Sequence, residues 1–209
     1  MGFLITASRI APGEVRAVDV VDLHRLTGEF FRDAVRRVPA TGWARPTPCS
    51  AWDVHALVNH VVGEDRWTAP LMAGRTIAEV GDALDGDLLG ADPVAAADAA
   101  WTEAAEATPA AVRGGVTVHL SYGAETATEY ARQLAADHLI HGWDLAAATG
   151  ADRTLPAELV AEVAGWYAAR EQLYRGAGLV SPRPALPDGA GGQDRLLAAF
   201  GRDPGWGPA

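Results

Sequence analysis

Asp137 and His141, in the segment DHLIHGWDLA (residues 137–146), stand four positions apart. The residues around them are mostly alanine, leucine and isoleucine. On a helix this spacing puts both side chains on one face, one turn apart, so that a carboxylate oxygen and an imidazole nitrogen can reach the same ion. A third ligand must come from another helix. His60 is the best placed, at the centre of an apolar stretch between Leu57, Val58, Val61 and Val62. Three protein ligands leave coordination positions open to water or substrate, which is the pattern of a catalytic metal site. Asp144, one turn beyond His141, can accept a hydrogen bond from the imidazole nitrogen that does not face the metal and so fix the ring. It can equally serve as a cap or an ion-pair partner. His138 points about a third of a turn away from Asp137, either as a surface residue or as a ligand in Asp137's place. Spacing alone leaves open that these are core histidines satisfied by neighbouring polar groups.

Other candidates for chemistry are fewer. Glu64, one turn from His60, is either a general base or a solvated acid. Cys49 follows a proline just before a helix start, where the helix dipole favours thiolate. It has no visible activating partner, so a packing or cavity-wall role is expected. His24, His55 and His119 are expected at the surface or in packing, and Trp101, Trp143 and Trp166 in the core. No G-x-S-x-G, P-loop, C-x-x-C or Rossmann glycine pattern occurs in the chain, so motif-bearing forms of those mechanisms are excluded.

The elements that must position these residues read as helices. Val18 to Val38 carries an amphipathic pattern, and PATGWARPTPC then breaks it. Ser50 is the expected N-cap of the next helix, with Asp53 three residues on as a shortened capping box. Along that helix Asp53, Leu57, His60, Glu64 and Trp67 form one stripe. Asp92 caps a third helix with Pro93 at its first position. GGVTVHLSYGAET is non-helical, with VTVHL as a short strand. A fourth helix runs from about Glu125 to Ala148 and stops at Gly150. A fifth begins after Pro156 and carries AELVAEVAGWYAAREQLY. A proline- and glycine-rich arm leads to DRLLAAFGRDPGW, expected to pack back through Leu196, Leu197, Phe200 and Trp206. With no strand–helix alternation and no repeat, the pattern predicts an all-α helical bundle.

Composition bounds the function. The chain has 209 residues, of which 49% are hydrophobic, enough for one domain with a real core. Its net charge of −10, with no basic cluster, argues against nucleic acid or an anionic membrane as partner. All 17 basic residues are arginine. A single cysteine cannot form an internal disulfide. No run approaches the roughly 20 apolar residues that span a bilayer, and the apolar patch near the N-terminus is too short for a signal sequence. A cytoplasmic protein acting on a small molecule is expected, with a homodimer as the alternative assembly to a monomer. Residues 1–17 are expected as an N-terminal extension and 18–209 as the bundle with its tail.

Three separated segments carry a resemblance. TPCSAWDVHALVNHVVG resembles the opening of the second helix in the mycothiol-dependent maleylpyruvate isomerase N-terminal domain group of the DinB-like superfamily. DHLIHGWDLAAATG resembles that group's second signature, an acid, three spacers and a histidine ahead of WDLA and a glycine. DRLLAAFGRDPGW looks like the ending of a single-domain actinobacterial metal-binding subgroup. The resemblance covers the chain from about Val18. It implies a DinB-like up-and-down four-helix bundle, with an extra helix and a C-terminal tail, and a divalent metal on His60, Asp137 and His141. The acid here is Asp137, where the isomerase looks to use the longer glutamate. The isomerase also carries a further C-terminal domain, whereas this sequence ends soon after its bundle. The shorter arm bears on the metal distance and the choice of metal, and the second departure bears on maleylpyruvate isomerisation.

The resulting expectation is a metal-dependent enzyme, with zinc as the metal and mycothiol as co-substrate. It would act as a transferase, or in an isomerase-like way, on a small electrophile. Two alternatives stand beside it. One is a hydrolase working through a metal-held hydroxide with Glu64 as base. The other is a bundle that binds metal or ligand and catalyses nothing.

Overall fold

A computed structural model describes residues 18–207. The expected N-terminal extension, residues 1–17, lies outside the described residues. The first helix, α1 (Val20–Arg36), starts where Asp19 accepts the Val21 N–H at 2.7 Å. The second, α2 (Val54–Met72), is capped by Asp53, which accepts from the Ala56 N–H at 2.8 Å. Ser50, expected as that cap, lies in the loop before it. The Thr47 hydroxyl donates to the Trp52 carbonyl at 2.9 Å and Pro46 bridges to Asp53, so the chain is tied off as a loop up to Asp53. A short α3 (Ile77–Val80) follows, then α4 (Pro93–Gly114), capped by Asp92 with Pro93 in its first turn.

The non-helical segment forms an antiparallel hairpin, β1 (Thr117–Leu120) with β2 (Gly123–Thr126), in which Thr117 faces Thr126. It feeds directly into α5 (Ala127–Thr149), capped by Thr126 and ended by Gly150 in the left-handed conformation that glycine adopts without strain. The helix expected over 157–174 is two pieces, α6 (Ala157–Tyr167) and α7 (Glu171–Gly176). A continuing helix would offer the Trp166 carbonyl to the Arg170 N–H. Here the Arg170 guanidinium takes that carbonyl at 2.8 Å and its N–H turns to Tyr167 instead. Last comes α8 (Gly192–Ala199), and the tail does pack back: Leu196, Leu197 and Phe200 are buried and Trp206 partly so. Each buried side chain of this kind contributes about 1.5–3 kcal/mol, enough to hold the tail against the body.

The all-α bundle expected from the sequence is the fold of the chain. Its four long helices are α1, α2, α4 and α5. Val20 packs with Tyr130 and Leu134 at one end, while Phe31 and Val35 pack with Leu145 and Ala148 at the other, so α1 and α5 run parallel. The helices α2 and α4 are likewise parallel: Val54 and Val58 meet Ala97 and Ala100, and Leu71 meets Ala111. The two pairs oppose each other. In chain order the helices therefore run up, down, down, up. Among the described residues no helix is long and apolar enough to cross a membrane.

The most buried element is α5, and two glycines let neighbours approach closely. A Cβ on Gly28 of α1 would fall inside contact distance of the Trp101 ring, and one on Gly142 of α5 would collide with Phe30. Gly165 of α6 is exposed and has nothing within 4 Å. Propensity alone favours alanine over glycine in a helix by about 1 kcal/mol. Gly28→Ala and Gly165→Ala should therefore move stability in opposite directions. We expect Gly165→Ala to stabilise by about 0.5–1 kcal/mol, and Gly28→Ala to destabilise by roughly 1–3 kcal/mol because the overpacked indole must shift. Urea denaturation of the two variants checks the signs.

Candidate metal centre and cavity

The helices α2 and α5 run antiparallel, and this brings His60 of α2 level with Asp137 of α5. The Asp137 carboxylate sits between two imidazoles. One oxygen lies 3.2 Å from His60 Nε2 and the other 3.3 Å from His141 Nε2. One donor atom from each of the three residues can be chosen so that all lie within 4.8 Å of one another. Trp52, in the loop before α2, covers both rings: its centroid is 4.6 Å from that of His60 and 5.7 Å from that of His141.

Behind His141 the arrangement is rigid. Asp144 Oδ2 is 2.9 Å from His141 Nδ1, and the same oxygen accepts from Arg202 Nη2 at 2.8 Å. Arg202 Nε adds contacts of 3.2 Å to both Asp144 oxygens, and Nη1 donates to the Phe200 carbonyl at 3.0 Å. Asp144 has no exposed side-chain surface, so its charge depends on these partners. A carboxylate only accepts, so His141 Nδ1 must carry the proton. His141 Nε2 then faces the Asp137 oxygen. Two acceptors at 3.3 Å repel unless a positive particle lies between them, either a proton or a metal ion.

Without metal that particle is a proton. Burial pushes the His141 imidazole down, but Asp137 and then Asp144 outweigh it and raise its pKa to about 9. Burial pushes Asp137 up, and the two imidazoles override it and hold the carboxyl well below its ordinary value. The donor set also suits a divalent transition metal. Bonds of about 2.0–2.1 Å in a tetrahedral site leave neighbouring donors roughly 3.3–3.4 Å apart, and each imidazole stands near that separation from a different oxygen of Asp137, at 3.2 and 3.3 Å. Glu64 lies on the same wall, and its carboxyl is raised by burial and then by Asp137.

Other residues fall outside the cluster. His138 is neither at the surface nor beside His60. It is buried, with Nε2 2.9 Å from Asp65 Oδ1 and its ring against those of His24 and Trp101. The reason is helical rotation: residue 138 turns about 100° from 137, whereas 141 turns only about 40°. His24 is likewise buried, and its pKa falls to about 3 through burial and then His138. His55 lies near the surface, 3.8 Å from Asp87, and His119 is on β1. Trp101, Trp143 and Trp166 are buried as expected. Cys49 is half-buried and does not line the cavity; burial raises its thiol pKa despite Arg202. Sequence reasoning missed Trp52, Arg202 and Asp65. Trp52 stands inside one signature segment and Arg202 inside another, but no spacing rule connects either to residue 141.

The cluster opens into a cavity of about 980 Å³ bounded by α2, the hairpin, α5 and the α6–α7 corner. His60, Glu64 and Asp137 form its inner end. A second concavity of about 690 Å³, between α6 and α8, contains none of these residues.

Comparison with known proteins gives a consistent picture. The family described as mycothiol maleylpyruvate isomerase N-terminal domain matches residues 24–146, which include His60, Asp137, His141 and Asp144. Two uncharacterized proteins of Mycobacterium tuberculosis, from strains CDC 1551 / Oshkosh and ATCC 25618 / H37Rv, are each 32% identical over 149 residues. The matched region is 69% of this chain and 75% of each relative. No solved structure matches the chain.

The titration of His141 has a measurable consequence in metal-free protein. Its pKa rises from an ordinary 6.5 to about 9 on folding. Its charge therefore stabilises the fold fully below pH 6.5, and that contribution is lost as pH climbs through 9. In chelator-treated wild type the urea midpoint should fall across this interval, and in His141→Gln the fall should be smaller, since His60 beside Asp137 keeps a raised titration of its own. NMR titration of the His141 ring gives the pKa directly, and a value near 6.5 would contradict the geometry.

Proposed function

The chain belongs to the mycothiol maleylpyruvate isomerase N-terminal domain family, and we propose that it is a metal-dependent enzyme joining a low-molecular-weight thiol, mycothiol, to a small electrophile. His60, Asp137 and His141 are the ligands in this reading, and zinc is the metal that suits two imidazoles and one carboxylate. The observation that carries it is the facing of His141 Nε2 and Asp137 across 3.3 Å, with Asp144 holding the imidazole proton on the other nitrogen.

A divalent ion there supplies positive charge that keeps a thiol deprotonated near neutral pH. The chain's own groups do the rest. Arg202 holds Asp144, and Asp144 holds the His141 ring so that its Nε2 lone pair points at the cluster. Trp52 covers the two imidazoles and limits the approach of water from the loop side. Glu64, raised by burial and by Asp137, is suited to accept the thiol proton or to return it to the product. No side-chain nucleophile is required, which accords with the raised pKa of Cys49 and its position away from the cavity. A hydrolase using the same cluster is the second reading, and Glu64 beside His60 favours it, with water in place of thiol.

Metal content and thiol chemistry separate the readings. His60→Ala and His141→Ala should each lose bound metal after purification without chelator. Asp144→Asn should weaken metal affinity by roughly 10- to 100-fold. Cys49→Ser should keep most of its mycothiol-adduct formation against a panel of electrophiles, and His141→Ala should lose it. Full metal content in both histidine variants would remove the ligand assignment. Ester or amide cleavage without thiol consumption in the metal-loaded protein would favour the hydrolase.

A further inference from the structure

The cavity walls carry four carboxyl groups, on Glu64, Glu125, Glu129 and Asp137, against the single guanidinium of Arg170. That guanidinium is already engaged. Its Nε and Nη2 reach the two Glu129 oxygens at 2.6 and 2.8 Å, and its Nη1 donates to the Trp166 carbonyl at 2.8 Å. Its face lies 4.9 Å from the centroid of the Trp166 ring. The Trp166 indole N–H is spent on Glu129 as well, at 3.1 Å. Three of its five N–H groups are used and its charge is matched by a bidentate carboxylate, so the pair offers an incoming anion little net attraction.

The outer wall is apolar. Among the described residues four large hydrophobic side chains are exposed: Ile77, Tyr122, Leu173 and Leu179. All but Ile77 line this cavity, and the rings of Trp166 and Tyr174 stand beside them. Apolar surface left in water at the mouth of a concave site is surface that a ligand can dry.

We propose that this cavity selects an uncharged, ring-bearing substrate and rejects anionic ones, with the Arg170–Glu129 pair as the device that cancels the one guanidinium on its walls. The inference rests on the reading of this cavity as the substrate site of the His60–Asp137–His141 cluster. It adds the chemical class of the electrophile. Aromatic and aliphatic faces pack on Tyr122, Tyr174 and Leu173, while a carboxylate, sulfonate or phosphate meets like charge on Glu125 and finds no net positive partner in the Arg170–Glu129 pair.

The test uses two probes of the same shape and opposite character: 2-naphthyl methyl sulfone, which is neutral, and 2-naphthalenesulfonate, which is anionic. Both are weak metal ligands, so calorimetric titration reads the walls in metal-free and in zinc-loaded wild type alike. The sulfone should bind about tenfold tighter than the sulfonate or more. Glu129→Gln keeps an acceptor for the Trp166 N–H and releases the Arg170 charge, so sulfonate affinity should rise about tenfold while sulfone affinity holds. Equal or tighter sulfonate binding in wild type overturns the proposal, and so does the failure of the sulfone to bind. The wild-type comparison decides the matter even if the variant folds poorly. Loss of the thiol reading is a separate result: sulfone preference without thiol transfer sinks that reading alone, whereas thiol transfer together with tight sulfonate binding sinks this one alone.

Discussion

A carboxylate with no access to solvent governs much of this molecule. Asp144 is deep in α5, and an isolated charge there would cost several kcal/mol. Two groups neutralise it. His141 comes from the same helix, three residues back, and Arg202 from the far end of the chain. The tail must therefore dock for the bundle centre to be charge-balanced, and the bundle must form for Arg202 to be satisfied. Gly201 serves this docking, since its positive φ of 74° lets the chain turn against Ser181 immediately before the arginine. The apolar residues of α8 supply the burial that makes the docking favourable, and the ion pair fixes where it stops.

The helix α5 carries two imidazole–carboxylate arrangements of different character, set by the direction in which each residue points. His138 and Asp65 form a dry pair walled by His24, Phe31 and Trp101. Asp137, next in the chain, turns toward the cavity and retains a third of its side-chain surface there. The same chemical groups thus give a closed pair that organises packing and an open cluster that can exchange its contents with solvent. The close approach of helices around them depends on glycine: Gly142, beside His141, leaves room for Phe30, and Gly28 leaves room for the indole of Trp101.

The α6–α7 corner connects the bundle to the cavity wall. Arg170 breaks the helix by taking the Trp166 carbonyl, and the same guanidinium grips Glu129 in the first turn of α5. A local backbone decision therefore also sets the electrostatics of the site.

Several features follow from the sequence alone. Helical period and capping residues located the long helices: Asp92 with Pro93, and Gly150, act where local chemistry requires. A spacing of four brought Asp137 and His141 to one face, because 3.6 residues per turn admits little else. Composition bounded the core, and the segment signatures pointed to the family that the comparisons show. Where alternatives were local, the sequence erred by small amounts. Ser50 was the expected cap of α2 with Asp53 inside its first turn, and the closure of the loop through Thr47 and Pro46 moves the start of the helix on to Asp53. Long-range facts were out of reach. The up, down, down, up order depends on which faces bury best together. The partnership of Arg202 with Asp144 spans 58 residues, and that of His138 with Asp65 spans 73. Sequence periodicity reports which way a side chain points from its own helix. What it meets there is decided by how separate helices pack, and that depends on the whole set of apolar faces at once.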